Sequence, residues 1–282
     1  MGKCFGVIGG DRRQAELARL LEADGYQVQT YGLEAWRGNG VSLEQAASAE
    51  VIILPLPLCK GDGVLNCPDA PVPTAELFRL LTPRQLVLAG QVLPGQQKEA
   101  EERGLTLVDY FRREEVTVAN AAITAEAALQ VAMEHLDRTL LGTDCLGLGF
   151  GRIGKLLSFR LHGLGVKVTA AARKPEDRAW IRAFGWKSLD IRNLDGELTP
   201  FGAVFNTVPS PILEKDLLAQ LPAECVCVDL ASHPGIDIHA AQSLGLDAVW
   251  ARSLPGRLAP AAAAAVLRDA VYYILKERGD PV

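Results

Sequence analysis

The chain has 282 residues, of which 49% are apolar and 22% charged, a balance typical of a folded globular protein rather than a disordered one. Its 34 acidic and 29 basic residues leave a formal net charge of −5, which argues against a general nucleic-acid-binding surface. No unbroken apolar run reaches the length of a membrane span, and the first residues do not form a signal peptide, so we expect a cytoplasmic protein.

The first half of the chain alternates short apolar runs with stretches of helical periodicity. Helices are predicted at residues 14–21 and 95–103. Strands are predicted at residues 4–8, 27–31, 51–54, 85–89 and 105–108. Because these strands are apolar on both faces, the pattern predicts a parallel sheet covered by helices on both sides.

A long helix is predicted at residues 124–140, and a second alternating set follows it. Its strands are predicted at residues 144–148, 167–171, 203–206, 225–229 and 248–250. Its helices are predicted at residues 152–164, 175–184, 238–244 and 260–276. We expect the last helix to pack back across the first domain, which would make that domain discontinuous.

The predicted fold class is α/β, with two doubly wound parallel-sheet (Rossmann-like) domains and the active site in the cleft between them. Residues 1–123 plus 258–282 would form a flavodoxin-like substrate domain, residues 124–141 a connecting helix, and residues 142–257 the dinucleotide-binding domain. The six cysteines include no C-x-x-C pair and the four histidines no H-E-x-x-H motif, so we expect structural thiols and no metal site.

A glycine-rich motif carries most of the functional argument: Gly149-Phe150-Gly151-Arg152-Ile153-Gly154 follows a predicted strand and opens a predicted helix. In dinucleotide-binding domains the first glycine permits the tight turn, the second lets the backbone approach the pyrophosphate, and the third lets the helix pack on the strand. The helix start then presents N–H groups to the phosphates. A plain glycine turn is the alternative.

The end of the next strand indicates which dinucleotide is bound. NAD-binding domains usually place an acid there for the ribose 2′-hydroxyl, whereas this chain has alanines followed by Arg173 and Lys174. We therefore expect NADP, with Arg173 gripping the 2′-phosphate and Lys174 assisting. The alternative is a solvated basic turn.

Two further segments follow predicted strands, where a doubly wound sheet places its ligand crevice. Asn206-Thr207-Val208-Pro209 is expected beside the nicotinamide of the cofactor. The segment of residues 229–235, with Asp229, Ser232 and His233, is expected to border the cofactor and the substrate. Both could instead be turn residues that cap their own backbones.

These motifs, in this order, resemble those of the family formed by the A subunit of bacterial dipicolinate synthase. The resemblance covers nearly the whole chain. It is carried by Ile8-Gly9-Gly10-Asp11-Arg12, by Asn120 with Thr124-Ala125-Glu126, by residues 148–154, 206–209 and 229–232, and by Leu254-Pro255-Gly256 with Ala259-Pro260.

The resemblance implies a sporulation enzyme that works with a second (B) subunit. Together they would make pyridine-2,6-dicarboxylate (dipicolinate) from dihydro- or hydroxytetrahydro-dipicolinate, a desaturation suited to a nicotinamide acceptor. It also implies kinship with the 2-hydroxy acid and alanine dehydrogenases. A homodimer is compatible with the sequence, and neither nucleic acid nor a membrane is expected as a partner.

Desaturation needs a base for the departing proton and cations for two carboxylates. Glu126 and His233 are the candidate bases; His233 suits proton transfer near neutrality, whereas Glu126 could simply favour its helix N-terminus. The substrate-binding candidates are Asp11, Arg12, Asn120, Thr124, Ser232 and Arg257. Arginine is suited to carboxylates because its guanidinium binds them with two hydrogen bonds, while Asp11 could only cap the following helix.

Two other functions stay open from the sequence. One is an NADP-dependent 2-hydroxy acid dehydrogenase, although no histidine lies beyond His239 to serve as that family's catalytic base. The other is a non-catalytic NADP-binding scaffold that positions the chemistry of the partner subunit.

Overall fold

The computed structural model describes residues 3–61, 63–68 and 70–280. The chain divides into two compact units, one of Met1–Asn120 with Pro255–Val282 and the other of Ala121–Leu254. Each unit is built around one parallel sheet. The helix that joins them begins earlier than the sequence predicted.

The elements up to this joining helix are the following. The strands are β1 (Cys4–Ile8), β2 (Gln27–Tyr31), β3 (Val51–Ile53), β4 (Leu86–Ala89) and β5 (Thr106–Asp109). The helices are α1 (Arg12–Ala23), α2 (Glu34–Arg37), α3 (Leu43–Ala47), α4 (Thr74–Leu80), α5 (Pro94–Glu102) and α6 (Glu114–His135), with a 3₁₀ turn at Tyr110–Arg112.

The remaining strands are β6 (Asp144–Leu148), β7 (Lys167–Ala172), β8 (Lys187–Asp190), β9 (Ala203–Asn206), β10 (Val226–Asp229) and β11 (Asp247–Trp250). The remaining helices are α7 (Arg152–Gly163), α8 (Pro175–Ala183), α9 (Lys215–Leu218), α10 (Ile238–Ser243), α11 (Leu254–Leu258) and α12 (Pro260–Glu277).

The sheet of the first unit has the strand order β2-β1-β3-β4-β5, which is the flavodoxin-like order. Its strands β3 and β4 are buried along their whole length, as expected for a sheet covered on both faces. Helix α12 packs against α1, and its side chains Leu267, Val271 and Ile274 lie in one core with Phe5 of β1.

The sheet of the second unit has the order β11-β10-β9-β6-β7-β8, with all pairs parallel. The chain leaves β6 in one direction towards β7 and returns on its other side at β9. The carboxyl end of β6 is therefore a topological switch point, the place where a doubly wound sheet leaves a crevice for a ligand.

The observed elements differ from the predicted ones in several places. The short helices α2, α3, α4, α9 and α11 were not predicted, and α6 ends at His135 rather than at residue 140. Helix α6 begins ten residues before the predicted Thr124, because Glu114 and Glu115 supply the acidic first turn that suits a helix N-terminus. Strand β8 was not predicted, because in Lys-Ser-Leu-Asp only Leu189 is apolar and buried and the strand lies at the edge of its sheet.

Helix α6 is long and apolar enough to cross a membrane, by length and composition alone, with a mean hydropathy of 1.3 over its most apolar window. Half of that window is buried inside the protein. The burial fits a core helix: Ala125, Ala128 and Ala132 are fully buried along one face.

The cysteines are thiols rather than disulfides, and four of the six are buried. Burial raises the pKa of the Cys145 thiol to about 12 and that of Cys59 to about 11. Thiols held protonated in this way behave as small apolar side chains.

Candidate functional site

The glycine turn, residues 149–154, lies at the switch point where β6 ends. Gly149 has a φ of +94°, a backbone conformation that side chains with a Cβ rarely adopt. A Cβ on Gly149 would also lie 2.4 Å from Oγ1 of Thr207. Glycine is therefore required at this position by both backbone conformation and packing.

The other two glycines of the turn have different surroundings. A Cβ on Gly154 would lie 2.2 Å from the carbonyl oxygen of Gly149, so this glycine lets α7 pack directly on the strand end. A Cβ on Gly151, in contrast, would meet no atom of the described chain within 4 Å. The fold does not require glycine at 151, but close approach of a ligand to the backbone would.

A cleft of about 730 Å³ opens beside the glycine turn, and we call it the strand-end cleft. Its walls come from the ends of β6, β7, β8 and β9. It is lined by Gly149, Phe150, Gly151, Ala172, Arg173, Lys174, Asp177, Ile191, Arg192, Leu194, Asp195, Leu217 and residues 207–212. Eight of the predicted cofactor residues are among these: Gly149, Phe150, Gly151, Arg173, Lys174, Thr207, Val208 and Pro209.

The cationic wall of the cleft is at the end of β7. Arg173 and Lys174 are exposed there and follow Ala172, so this strand end carries no acid. Arg192, which follows β8, lines the same cleft. Arg192 was not predicted from the sequence because β8, whose end brings this arginine to the sheet edge, was not predicted either.

The segment after β9 is shaped by its own hydrogen bonds. The amide of Asn206 donates to the Val208 carbonyl at 3.0 Å and accepts from the Val208 N–H at 3.0 Å. Oγ1 of Thr207 donates to the Leu148 carbonyl at 2.9 Å. These contacts fix the turn 206–209 against β6 and leave Val208 and Pro209 to line the cleft.

Asp229 organises the segment after β10. Its carboxylate accepts hydrogen bonds from the amide of Asn206 at 3.0 Å and from the backbone N–H groups of Ala231, Gly235 and Ile236 at 2.7–2.9 Å. Asp229 and Asn206 are both fully buried. The four hydrogen bonds compensate for removing the charge from water.

The burial corrects part of the sequence interpretation. Asn206 and Asp229 were expected to contact the cofactor, but both side chains are directed into the protein and hold the two loops in place. Arg152, Ile153 and Gly154 are not among the residues that line the strand-end cleft. Gly154 instead has the role in helix packing that the sequence predicted for it. These three residues form the start of α7. The residue before them, Gly151, has no side chain that could accept a hydrogen bond from the first N–H groups of this helix.

Ser232 and His233 are exposed in the loop that Asp229 anchors. The Ser232 hydroxyl lies 3.4 Å from Nδ1 of His233. Trp250 of β11 donates from its indole N–H to the Ala231 carbonyl at 2.8 Å, which fixes the base of this loop. His233 is thus a solvent-accessible imidazole on a well-supported loop.

Glu126 is placed differently from expectation. Because α6 begins at Glu114, Glu126 lies in the middle of the helix and cannot interact with its N-terminus. Its exposed carboxylate accepts from Nη2 of Arg160 at 3.0 Å and from Nε at 3.3 Å. Glu126 is absent from the residues that line the strand-end cleft.

In the first unit, Asp11 caps α1 through a capping box with Gln14, which confirms the capping role considered from the sequence. Asp11 also pairs with Arg13, which is buried and donates to the Leu56 carbonyl at 2.6 Å. Arg12 is exposed. Arg13 was not among the predicted site residues, although an arginine two residues after a capping aspartate can turn back towards it.

Gly256, which precedes the predicted residue Arg257, lies against Asp11 of the same unit. A Cβ on Gly256 would lie 2.6 Å from Oδ2 of Asp11, so α11 rests directly against the turn before α1. Arg257 is exposed on α11. Asn120 and Thr124 lie one turn apart on α6, and Thr124 is buried.

The two doubly wound sheets and the glycine turn at a switch point define the class: a two-domain protein of the dehydrogenase-like Rossmann fold. A transhydrogenase from Sinorhizobium meliloti shows the same fold, with a TM-score of 0.69 and 17% identity over 96% of this chain and 94% of that one.

Within this class, the family model that describes the N-terminal domain of the dipicolinate synthase A subunit matches residues 4–111. The A subunit of the Bacillus subtilis (strain 168) dipicolinate synthase is 29% identical over 289 residues, covering 98% of this chain and 97% of that protein. The crystal structure of the corresponding protein from Bacillus halodurans has a TM-score of 0.84 and 26% identity over 98% of both chains. These findings confirm the family resemblance: the chain is similar to the A subunit of dipicolinate synthase over 98% of its length.

Proposed function

We propose that this chain is the A subunit of a dipicolinate synthase and binds NADP(H) in its strand-end cleft. The observation that carries the proposal is the combination, in one cleft, of a glycine turn at the switch point and a pair of cations, Arg173 and Lys174, at the end of β7. The dipicolinate synthase relatives and the dehydrogenase-like fold support an oxidoreductase.

The residues of the cleft fit a dinucleotide. Gly151 offers an open backbone position, and the N–H groups at the start of α7 suit a pyrophosphate. Arg173 and Lys174 would hold a 2′-phosphate, while the segment of Thr207, Val208 and Pro209 would flank the nicotinamide half. When bound, the nicotinamide supplies the hydride acceptor for the reaction.

The reaction implied by the family name is formation of pyridine-2,6-dicarboxylate from a dihydro- or hydroxytetrahydro-dipicolinate, together with a second subunit. Loss of a hydride from the ring must be matched by loss of a proton, and a hydroxytetrahydro substrate must also lose water. We assign the proton to His233, whose exposed imidazole is a side chain of the kind that most often serves as a general base. Glu126 is the weaker candidate because Arg160 already binds its carboxylate.

The two ring carboxylates call for cations in the first unit. Arg12 and Arg257 are exposed there, on elements that meet at Asp11 and Gly256. A guanidinium binds a carboxylate with two hydrogen bonds and fixes its orientation. We assign these arginines, with Asn120 of the same unit as a polar partner, to substrate binding.

The test of this function is reduction of NADP, followed by absorbance, when the purified chain is mixed with substrate and the partner subunit. His233→Gln should lower the rate at saturating NADP, and Glu126→Gln should leave it near the wild-type value. A fully active His233→Gln variant would show that the proton is taken elsewhere. If this chain bound NADP but the partner subunit alone catalysed the reaction, this chain would be a scaffold rather than an enzyme.

A further inference from the structure

Arg192 lines the strand-end cleft but is held there by an acid that lies outside it. Its Nε donates to Oδ1 of Asp190 at 2.9 Å and its Nη2 donates to Oδ2 at 2.6 Å. The third nitrogen of the guanidinium, Nη1, has no hydrogen-bond partner among residues 3–61, 63–68 and 70–280. The bidentate pair therefore fixes one edge of the guanidinium and leaves the other edge available.

The register of the sheet places this arginine next to the predicted phosphate-binding turn. Ala172 of β7 pairs with Asp190 of β8, and the Ile191 N–H donates to the Ala172 carbonyl at 3.4 Å. Neighbouring strands of a sheet run about 4.8 Å apart. Arg173 and Lys174 thus leave β7 beside the point where Ile191 and Arg192 leave β8.

Arg178 ties the two strand ends together. Its Nη1 donates to Asp190 and, at 3.4 Å and 3.3 Å, to the carbonyls of Ala172 and Arg173. The hydrogen bonds from Arg192 and the positive charge of Arg178 hold the pKa of the Asp190 carboxyl well below its ordinary value. Asp190 stays ionised as a result, with one arginine on each side.

The charged side chains that line the strand-end cleft indicate what the positive charge of Arg192 contributes. Asp177 and Asp195 also line the cleft, so Arg173 and Lys174 alone would leave it without a surplus of positive charge. Arg178 offsets the charge of Asp190 from outside the cleft. The charge of Arg192 is therefore the one that makes the cleft favourable for a dianionic phosphate group.

We propose that Arg192 is a third cation for the 2′-phosphate of NADP(H), with Asp190 as the positioning residue that orients its guanidinium. The inference rests on the proposed function, since it requires that this cleft bind the adenosine half of the dinucleotide. With Arg192 included, the residues that determine cofactor specificity lie at the ends of both β7 and β8. The preference for NADP(H) then depends on β8 as well as on β7.

The test is calorimetric titration of the purified chain with adenosine 2′,5′-bisphosphate and with adenosine 5′-monophosphate, before and after Arg192→Ala. Loss of one charge-assisted hydrogen bond should weaken binding of the bisphosphate about tenfold and leave the monophosphate unchanged. Arg182→Ala is the matched control, because Arg182 is an exposed arginine of α8 that does not line the cleft. It should bind both ligands as the wild type does.

A positioning role for Asp190 predicts a smaller loss of the same kind in Asp190→Asn, and thermal unfolding of each variant shows whether the domain is intact. Equal weakening of both ligands by Arg192→Ala, or no change in either, would overturn the inference while leaving Arg173 and Lys174 as the clamp. A wild-type chain with no preference for the bisphosphate would overturn the NADP proposal itself, and with it this extension.

Discussion

At the scale of single residues, Gly151 and Gly154 belong to one turn but serve different purposes. The closest protein contact of a Cβ at 154 would be 2.2 Å, whereas a Cβ at 151 would have none within 4 Å. Gly151 has a φ of −77°, which alanine adopts without strain. Packing thus explains the glycine at 154, whereas the proposed close approach of a pyrophosphate would explain the glycine at 151.

This difference predicts separable effects of two alanine substitutions. Gly154→Ala should lower the free energy of unfolding by about 1–3 kcal/mol, because the added methyl forces α7 away from β6. Gly151→Ala should leave the free energy of unfolding within about 0.5 kcal/mol of wild type and yet abolish dinucleotide binding. Urea unfolding and calorimetry measure the two quantities. Unimpaired binding by Gly151→Ala would contradict the proposed path of the pyrophosphate.

The lowered pKa of Asp190 predicts a pH dependence of stability. A carboxyl whose pKa is lower in the folded than in the unfolded chain stabilises the fold at pH values above its unfolded pKa of about 4. That contribution is lost as the pH falls through the folded-state value. The wild type should therefore be more stable than Asp190→Asn at pH 6, and the difference should shrink between pH 4 and pH 2. A difference that is constant over this range in urea unfolding would show that the ion pairs do not contribute.

At the scale of elements, α12 contributes an apolar face to the core of a unit whose other residues lie far earlier in the sequence. Ile274 is 3% exposed and packs in the same cluster as Phe5 and Leu17, while Lys276 on the same helix is exposed. The last helix thus belongs to the hydrophobic core of the first unit.

Truncation of this face should be costly, with a neighbouring position as the control. Ile274→Ala should lower the free energy of unfolding by about 2–5 kcal/mol, because it removes buried methyl groups and leaves a cavity. Lys276→Ala should change it by less than about 0.5 kcal/mol. If chemical denaturation gave equal values for the two variants, the packing of α12 on the first sheet would be in doubt.

The elements also show what could be predicted from the sequence. The strands that line the switch points are apolar on both faces, so β1, β6 and β9 were predicted with their observed bounds. Strand β8 was missed because an edge strand needs little apolar surface. Arg192, which follows β8, was therefore not predicted as a residue of the cleft. The roles of Asn206 and Asp229 were misjudged because a sequence does not show whether a polar side chain at a strand end is directed into the crevice or into the protein.

At the scale of the whole molecule, the proposed roles divide between the two units. The second unit holds the strand-end cleft and the loop of His233, and the first holds the exposed Arg12 and Arg257. Cofactor choice is assigned to the end of β7, where the absence of an acid and the presence of two cations favour a phosphate over a hydroxyl. The proposed preference for NADP over NAD depends on that assignment.

The most direct test is calorimetric titration of the purified chain with NADP(H) and with NAD(H), repeated with Arg173→Ala. We expect tighter binding of NADP(H) to the wild type, by about tenfold or more, and loss of that preference in the variant with little change for NAD(H). Equal or tighter binding of NAD(H) to the wild type would contradict the 2′-phosphate clamp, and binding of neither dinucleotide would contradict the redox function.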